Sequence, residues 1–124
     1  MILGIHHAQV TIPTGSEALA REFYCDLLGL PEIEKPASLA NRGGFWAQAG
    51  DTQLHLAPED TVDRRLSRAH LAYEVDDIDA YRSLLTSHGF SILPGIPIPG
   101  YERFEFRDPF GNRVEIIQSI QTAD

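Results

Sequence analysis

The chain echoes itself, and that echo constrains the fold more than any single motif in it. Gly29-Leu30 returns 60 residues later as Gly89-Phe90, and Glu115 stands 60 residues after His55. The opening strands carry His7 and His70, 63 residues apart, so the slack lies in the turn between strand and helix. Two copies are too few for a solenoid, which generally needs three or more units. They suit a pseudo-symmetric pair of small sheets.

Each half reads as strand, helix and hairpin. Ile5 to Ile12 alternates like a strand, and Ser16 to Leu28 then spaces Leu19, Phe23, Leu27 and Leu28 for one helical face. Ser16 is the expected N-cap and Gly29 the expected stop. Phe45 to Leu56 forms two alternating runs hinged at Gly50-Asp51, the pattern of a β-hairpin. The second half repeats the order with a strand over Ala69 to Val75 and a helix from Asp77 to His88 that presents Ile78, Tyr81, Leu84 and Leu85. Its hairpin spans Arg103 to Gln118 and turns through Asp108-Pro109-Phe110-Gly111-Asn112. The domain is thus expected to comprise module 1, about 1–57, and module 2, about 69–120. The polar segment Pro58 to Arg68 reads as an exposed connector. Ser91 to Tyr101, with Pro94, Pro97 and Pro99, reads as a stiffened loop able to cover a pocket, neither helix nor central strand.

Composition narrows the function classes. At 124 residues, 43% hydrophobic and 23% charged, the chain has the proportions of one soluble domain whose core needs no disulfide or structural metal. Cys25 is the single cysteine, which fits a reducing compartment and a cytoplasmic location. Met1 to His7 lacks a basic segment followed by an apolar stretch, so a secretory signal is not expected. No apolar run approaches the roughly 20 residues of a membrane helix, and no membrane partner is expected. A formal net charge of −8 has the wrong sign for capture of a nucleic-acid backbone.

Side chains alternate between two faces of a strand, so parity sorts the hairpin residues. Ala47, Ala49, Leu54 and Leu56 share an apolar face; Trp46, Gln48, Gln53 and His55 share the other. In the last hairpin Phe104, Phe106, Val114 and Ile116 are the apolar set, with Arg103, Glu105, Arg113 and Glu115 opposite. The polar faces have the composition of a cavity. His7, His70, His55 and Glu115 hold matching strand positions, and if the halves pair about a pseudo-twofold axis these four converge. Imidazole nitrogen with carboxylate oxygen suits one divalent ion such as Zn, Ni, Co, Mn or Fe(II). Each alone has an ordinary reading, His7 as a hydrogen-bonded strand histidine and Glu115 as a solvated carboxylate; their agreement with the repeat register favours a ligand set. His6 faces away from His7 by parity and reads as structural. His88, before Gly89, suits the end of a helix, and Cys25 lacks a neighbouring base to activate it. Arg103 and Arg113, with Tyr101 and Arg42 near the rim, suit an anionic substrate group, unless they pair with Glu105 or other neighbouring acids. Glu105 is the spare carboxylate on the cavity face and the first candidate general base.

The pattern resembles the vicinal oxygen chelate superfamily, which includes glyoxalase I, extradiol dioxygenases, fosfomycin-resistance enzymes and bleomycin-binding proteins. The residues that carry the resemblance are Gly4-Ile5-His6-His7, Phe23-Tyr24-Cys25-Asp26-Leu27-Leu28-Gly29-Leu30, and Phe106 to Glu115, the last being the most specific. The resemblance implies an α+β fold of two βαβββ modules whose curled mixed sheets enclose a shared site, commonly in a homodimer. It places the family's ligands on His7, His70 and Glu115. A fourth position, glutamate in glyoxalase I, is His55 here, which suits either a ligand or a catalytic acid or base.

The resemblance implies a divalent-metal-dependent enzyme acting on a small molecule with adjacent chelating oxygens. A glyoxalase-like lyase or isomerase and a ring-cleaving dioxygenase stand level, with a thiol or epoxide transferase third. The rival class is a non-catalytic protein that holds a drug or metabolite against Trp46, as bleomycin-resistance proteins do. Retention of every ligand position speaks against that branch.

Overall fold

The computed structural model describes residues 1–120. The chain forms two compact units, Met1–Val62 and a second that begins at Asp63. In the first, β1 (His7–Ile12) runs parallel to β4 (Thr52–Pro58); β4 pairs antiparallel with β3 (Phe45–Ala49), and β3 with the short β2 (Glu32–Ile33). In the second, β5 (His70–Glu74) is parallel to β8 (Arg113–Ser119), followed outward by antiparallel β7 (Tyr101–Arg107) and β6 (Leu93–Pro94). A helix follows the opening strand of each: α1 (Glu17–Arg21), which continues over Glu22–Leu27 in wider π-type turns, and α2 (Ile78–Ser87). Each unit is therefore a βαβββ module with an open four-stranded sheet, and the fold is α+β.

Parity of the apolar residues builds each core. Ala47, Leu54 and Leu56 are buried on one face of the first sheet, and Phe104, Phe106, Val114 and Ile116 on the corresponding face of the second. The second helix buries Ile78 and Leu85 as its spacing predicts. The first helix departs from its predicted face: Ala20, Phe23, Tyr24 and Leu28 are buried whereas Leu19 is exposed. Small Ala20 and aromatic Tyr24 complete a buried row at three- and four-residue spacing that large aliphatics alone do not mark. Both Tyr24 and Leu28 lie in or just after the wide-turned segment, where the Leu28 amide donates to the Phe23 carbonyl five residues back.

Helix and turn ends show which polar residues are structural. Ser16 precedes α1 but does not cap it; its hydroxyl donates to the Pro13 carbonyl. Asp77 does cap α2, accepting from the Ala80 amide, while the Gln118 side chain accepts from the Ile78 amide. The turn between β7 and β8 closes on buried Asp108, which accepts from the Phe110 and Asn112 amides and from the Asn112 side chain. The Asp-Pro-Phe-Gly-Asn motif is thus a turn former. Before β3, Gly44 is indispensable: its φ is 76° and a Cβ there would meet the Leu56 carbonyl oxygen at 2.0 Å.

Two edge strands, β2 and β6, went unmarked in the sequence. The segment 91–101 is accordingly not wholly irregular; its Leu93–Pro94 pair lies along the edge of β7, where a proline is tolerated. The segment 58–68 also differs from a bare connector: Pro58 belongs to β4, and Arg64, in a short helical turn over Arg64–Leu66, is buried. Among the described residues no helix is long and apolar enough to cross a membrane.

Candidate functional site

In the first unit, parallel pairing sets His7 opposite Gln53 and Gln9 opposite His55, so His7 and His55 are diagonal neighbours on one face. Antiparallel pairing sets Trp46 opposite His55. The rings stack: Trp46 on His55 at 3.8 Å with planes 2° apart, and His55 on His7 at 4.2 Å and 14°. His55 is buried between them, 7% exposed. Its Nε2 lies 3.0 Å from Gln53 Oε1. An amide oxygen only accepts, so Nε2 carries the proton and Nδ1 of the neutral ring presents a lone pair. Burial lowers the His55 pKa from its ordinary value, and the neighbouring His7 and His6 push it the same way. His6 does not turn away as strand parity predicts. It lies just before β1, where alternation does not bind it, and its ring meets His7 edge-on at 5.2 Å, with the two Nδ1 atoms 3.0 Å apart.

The second unit uses the same register with different chemistry. His70 lies opposite Arg113 and Ala72 opposite Glu115, so His70 and Glu115 are again diagonal neighbours. His70 Nε2 is 3.1 Å from Glu115 Oε1, while His70 Nδ1 lies 3.1 Å from the Arg68 carbonyl. Antiparallel pairing puts Glu105 directly opposite Glu115, two like charges that would repel. Arg103 bridges them, its Nη1 3.2 Å from Glu105 Oε1 and 3.1 Å from Glu115 Oε1. Arg113 grips both oxygens of Glu105, at 2.9 and 2.6 Å.

Glu105 is therefore not a spare carboxylate. The Arg113 hydrogen bonds, with Arg103 adding to them, hold its carboxyl below the usual carboxylate range against the opposing effect of burial. That makes it a weak proton acceptor. Arg103 and Arg113 follow the alternative reading, pairing with Glu105 and Glu115. Of the other expected contact residues, Gln48 donates to the Gly50 carbonyl, Gln53 orients His55, and Tyr101 is exposed at the start of β7. Arg42 ends an exposed helical turn. A cavity of about 360 Å³ in the second unit is lined by Ser91, Leu93, Glu105, Phe106, Arg107 and Arg113. His88 bonds the Leu84 carbonyl at the end of α2. Burial raises the Cys25 thiol pKa, with Glu32 and Asp26 adding to it, which makes it a poor nucleophile.

The donors fit a divalent ion by their chemistry. Because the Arg68 carbonyl takes the proton on His70 Nδ1, the Nε2 of a neutral ring is a lone pair facing the Glu115 oxygen, itself an acceptor. Two acceptors face each other stably only with a proton or a cation between them. Two donors bonded tetrahedrally to one ion at about 2.1 Å stand roughly 3.4 Å from each other, a few tenths of an ångström beyond the 3.1 Å hydrogen-bond separation found here. The backbone carbonyl on the far nitrogen is the usual orienting partner of a metal-binding histidine. Among the described residues no group of three or more His, Cys, Asp or Glu side chains is arranged so that it could hold a metal ion; the expected ligands are brought together as two pairs, one in each unit.

Comparison with known proteins agrees with the fold. The profile of the Glyoxalase/Bleomycin resistance protein/Dioxygenase superfamily matches residues 4–116. The uncharacterized protein YaeR of Escherichia coli (strain K12) is 32% identical over 92% of this chain and 95% of its own length. A crystal structure from Bacillus anthracis, assigned to the glyoxalase family, superposes with a TM-score of 0.89 at 38% identity, covering 96% of this chain and 97% of that one. A glyoxalase/dioxygenase from Nostoc punctiforme shares the fold at a TM-score of 0.79 and 22% identity, over 96% of this chain and 92% of its own.

Proposed function

The chain belongs to the Glyoxalase/Bleomycin resistance protein/Dioxygenase superfamily, and from that premise we propose that it is a divalent-metal-dependent enzyme acting on a small molecule with adjacent chelating oxygens. The reaction is a glyoxalase-like lyase or isomerase step or a ring-cleaving dioxygenation, in a homodimer. His7, His70 and Glu115 are the proposed ligands, with His55 as fourth ligand or proton carrier. One observation carries the reading: His70 Nε2 and Glu115 Oε1 face each other at 3.1 Å while the ring is oriented through Nδ1 by the Arg68 carbonyl. A bound ion of this kind supplies Lewis-acid polarisation of a substrate oxygen. The protein's own groups divide the remaining work. The Nδ1 of His55, aimed by Gln53, accepts and returns the proton, in place of the arginine-bound Glu105. Trp46 offers a flat apolar face that orients the substrate.

Elemental analysis of protein purified without added metal tests this reading. It predicts close to one divalent ion per chain, lost in His7→Ala and Glu115→Ala. Metal-free protein whose two variants bind small molecules as the wild type does would instead make it a non-catalytic binding protein.

A further inference from the structure

The arginine between the two facing carboxylates is held from a direction that neither strand supplies. Arg103 Nε donates to the Ile96 carbonyl at 3.0 Å, within the proline-rich segment 94–100. Gly95 packs against the guanidinium so closely that a Cβ there would lie 2.7 Å from Arg103 Cζ and 2.9 Å from Nε. The same guanidinium donates through Nη1 to Glu115 Oε1, and Arg103 and Glu115 side chains are only 13% and 6% exposed. A continuous path thus runs from the segment through Arg103 to the carboxylate that faces His70. Pro94, Pro97 and Pro99 stiffen that segment, so the position of the guanidinium is set by backbone geometry as well as by charge.

We infer that Arg103 is the positioning residue for Glu115, clamped by Gly95 and the Ile96 carbonyl so that it fixes Oε1, the same carboxylate oxygen that faces His70 Nε2, and with it the orientation of the ligand carboxylate. Arg103 acts on the metal site through Glu115 and does not itself touch the ion or the substrate. This inference rests on the metal reading above, and its test separates the two.

Binding of Co(II) alone to the metal-free chain, followed by its visible absorption, is the measurement. Gly95→Ala decides the matter because it displaces the guanidinium without altering any charge. Loss of an outer-shell partner typically weakens metal affinity 10–100-fold. Arg103→Met is expected to weaken Co(II) binding by about that factor and to change the absorption bands, with Arg103→Lys recovering part of the loss. Gly95→Ala is expected to weaken binding in the same direction by a smaller factor, with an unchanged far-ultraviolet circular dichroism spectrum. Should Arg103→Met fail to fold, Gly95→Ala carries the test alone. Wild-type affinity and an unchanged spectrum in Gly95→Ala or Arg103→Met overturn the inference and leave the metal reading standing. A wild-type chain that takes up no Co(II) overturns both.

Discussion

The two units place side chains at equivalent positions of one βαβββ scaffold and hold them by different physics. In the first, His55 is buried between Trp46 and His7 in a stack of three rings. In the second, Glu115 stands at the equivalent point of an alternating row, Arg113, Glu105, Arg103, Glu115 and His70. Stacking needs no charge and relies on flat surfaces kept dry. An ion row depends on every member, because removing one leaves its partner desolvated and uncompensated. The backbone repeat thus fixes where a donor stands but leaves open how it is held.

Truncation at the two equivalent positions tests that difference most strongly. In the metal-free protein Glu115→Ala should lower stability by about 3 kcal/mol, since the largely buried Arg103 and Arg113 are left to share Glu105 as their one carboxylate in the row. His55→Ala should cost less, about 2 kcal/mol, for a lost ring and its stacking. Urea denaturation measures both, and a larger loss at His55 would reverse the comparison. The hairpin turns give a second contrast. Asp108→Ala strips the acceptor from two backbone amides and should cost about 2 kcal/mol, whereas Asp51→Ala, in an exposed turn made possible by Gly50, should change stability by less than about 0.5 kcal/mol.

Acid should weaken the units in order. The depressed pKa of His55 means that its contribution is complete above the ordinary histidine value of 6.5 and is lost as pH falls through the lower folded value. The depressed Glu105 contribution is complete above 4.5 and is lost only below that. Urea midpoints should therefore first fall below pH 6.5 in a step that His55→Ala removes, and fall again below pH 4.5 in a step that Glu105→Gln removes. The opposite order would contradict the account. A modest effect is expected of Trp46→Leu, with a stability loss of about 1 kcal/mol. It opens His55 to water, so the His55 pKa should rise towards its ordinary value in an NMR titration; an unmoved pKa would show that Trp46 does not keep it dry.

Much of this was legible in the sequence because sheets convert parity into faces. The register of the echo gave His7 and His70, and His55 and Glu115, matching strand positions, and the pairing in each unit sets the two members of that unit diagonally on one face. The edge strands Glu32–Ile33 and Leu93–Pro94 were not legible, since two residues show no period and owe their conformation to the neighbour they pair with. The role of Glu105 was misread for a related reason. Parity placed it on the same face as Arg103 and Arg113, but only the cross-strand register shows it opposite Glu115 and consumed by arginines. The Ile96 carbonyl and the Gly95 contact left no trace in side-chain patterning, because both act through backbone. The Arg68 carbonyl that fixes the His70 tautomer is hidden for the same reason.

Diffraction from crystals of the metal-loaded protein, recorded on both sides of the ion's absorption edge, tests the central claim most directly. The account predicts an anomalous peak about 2.1 Å from His70 Nε2 and from a Glu115 oxygen, with a His7 nitrogen also bonded to it. An ion bound only at other residues, with His70 and Glu115 still bonded to each other, would contradict it.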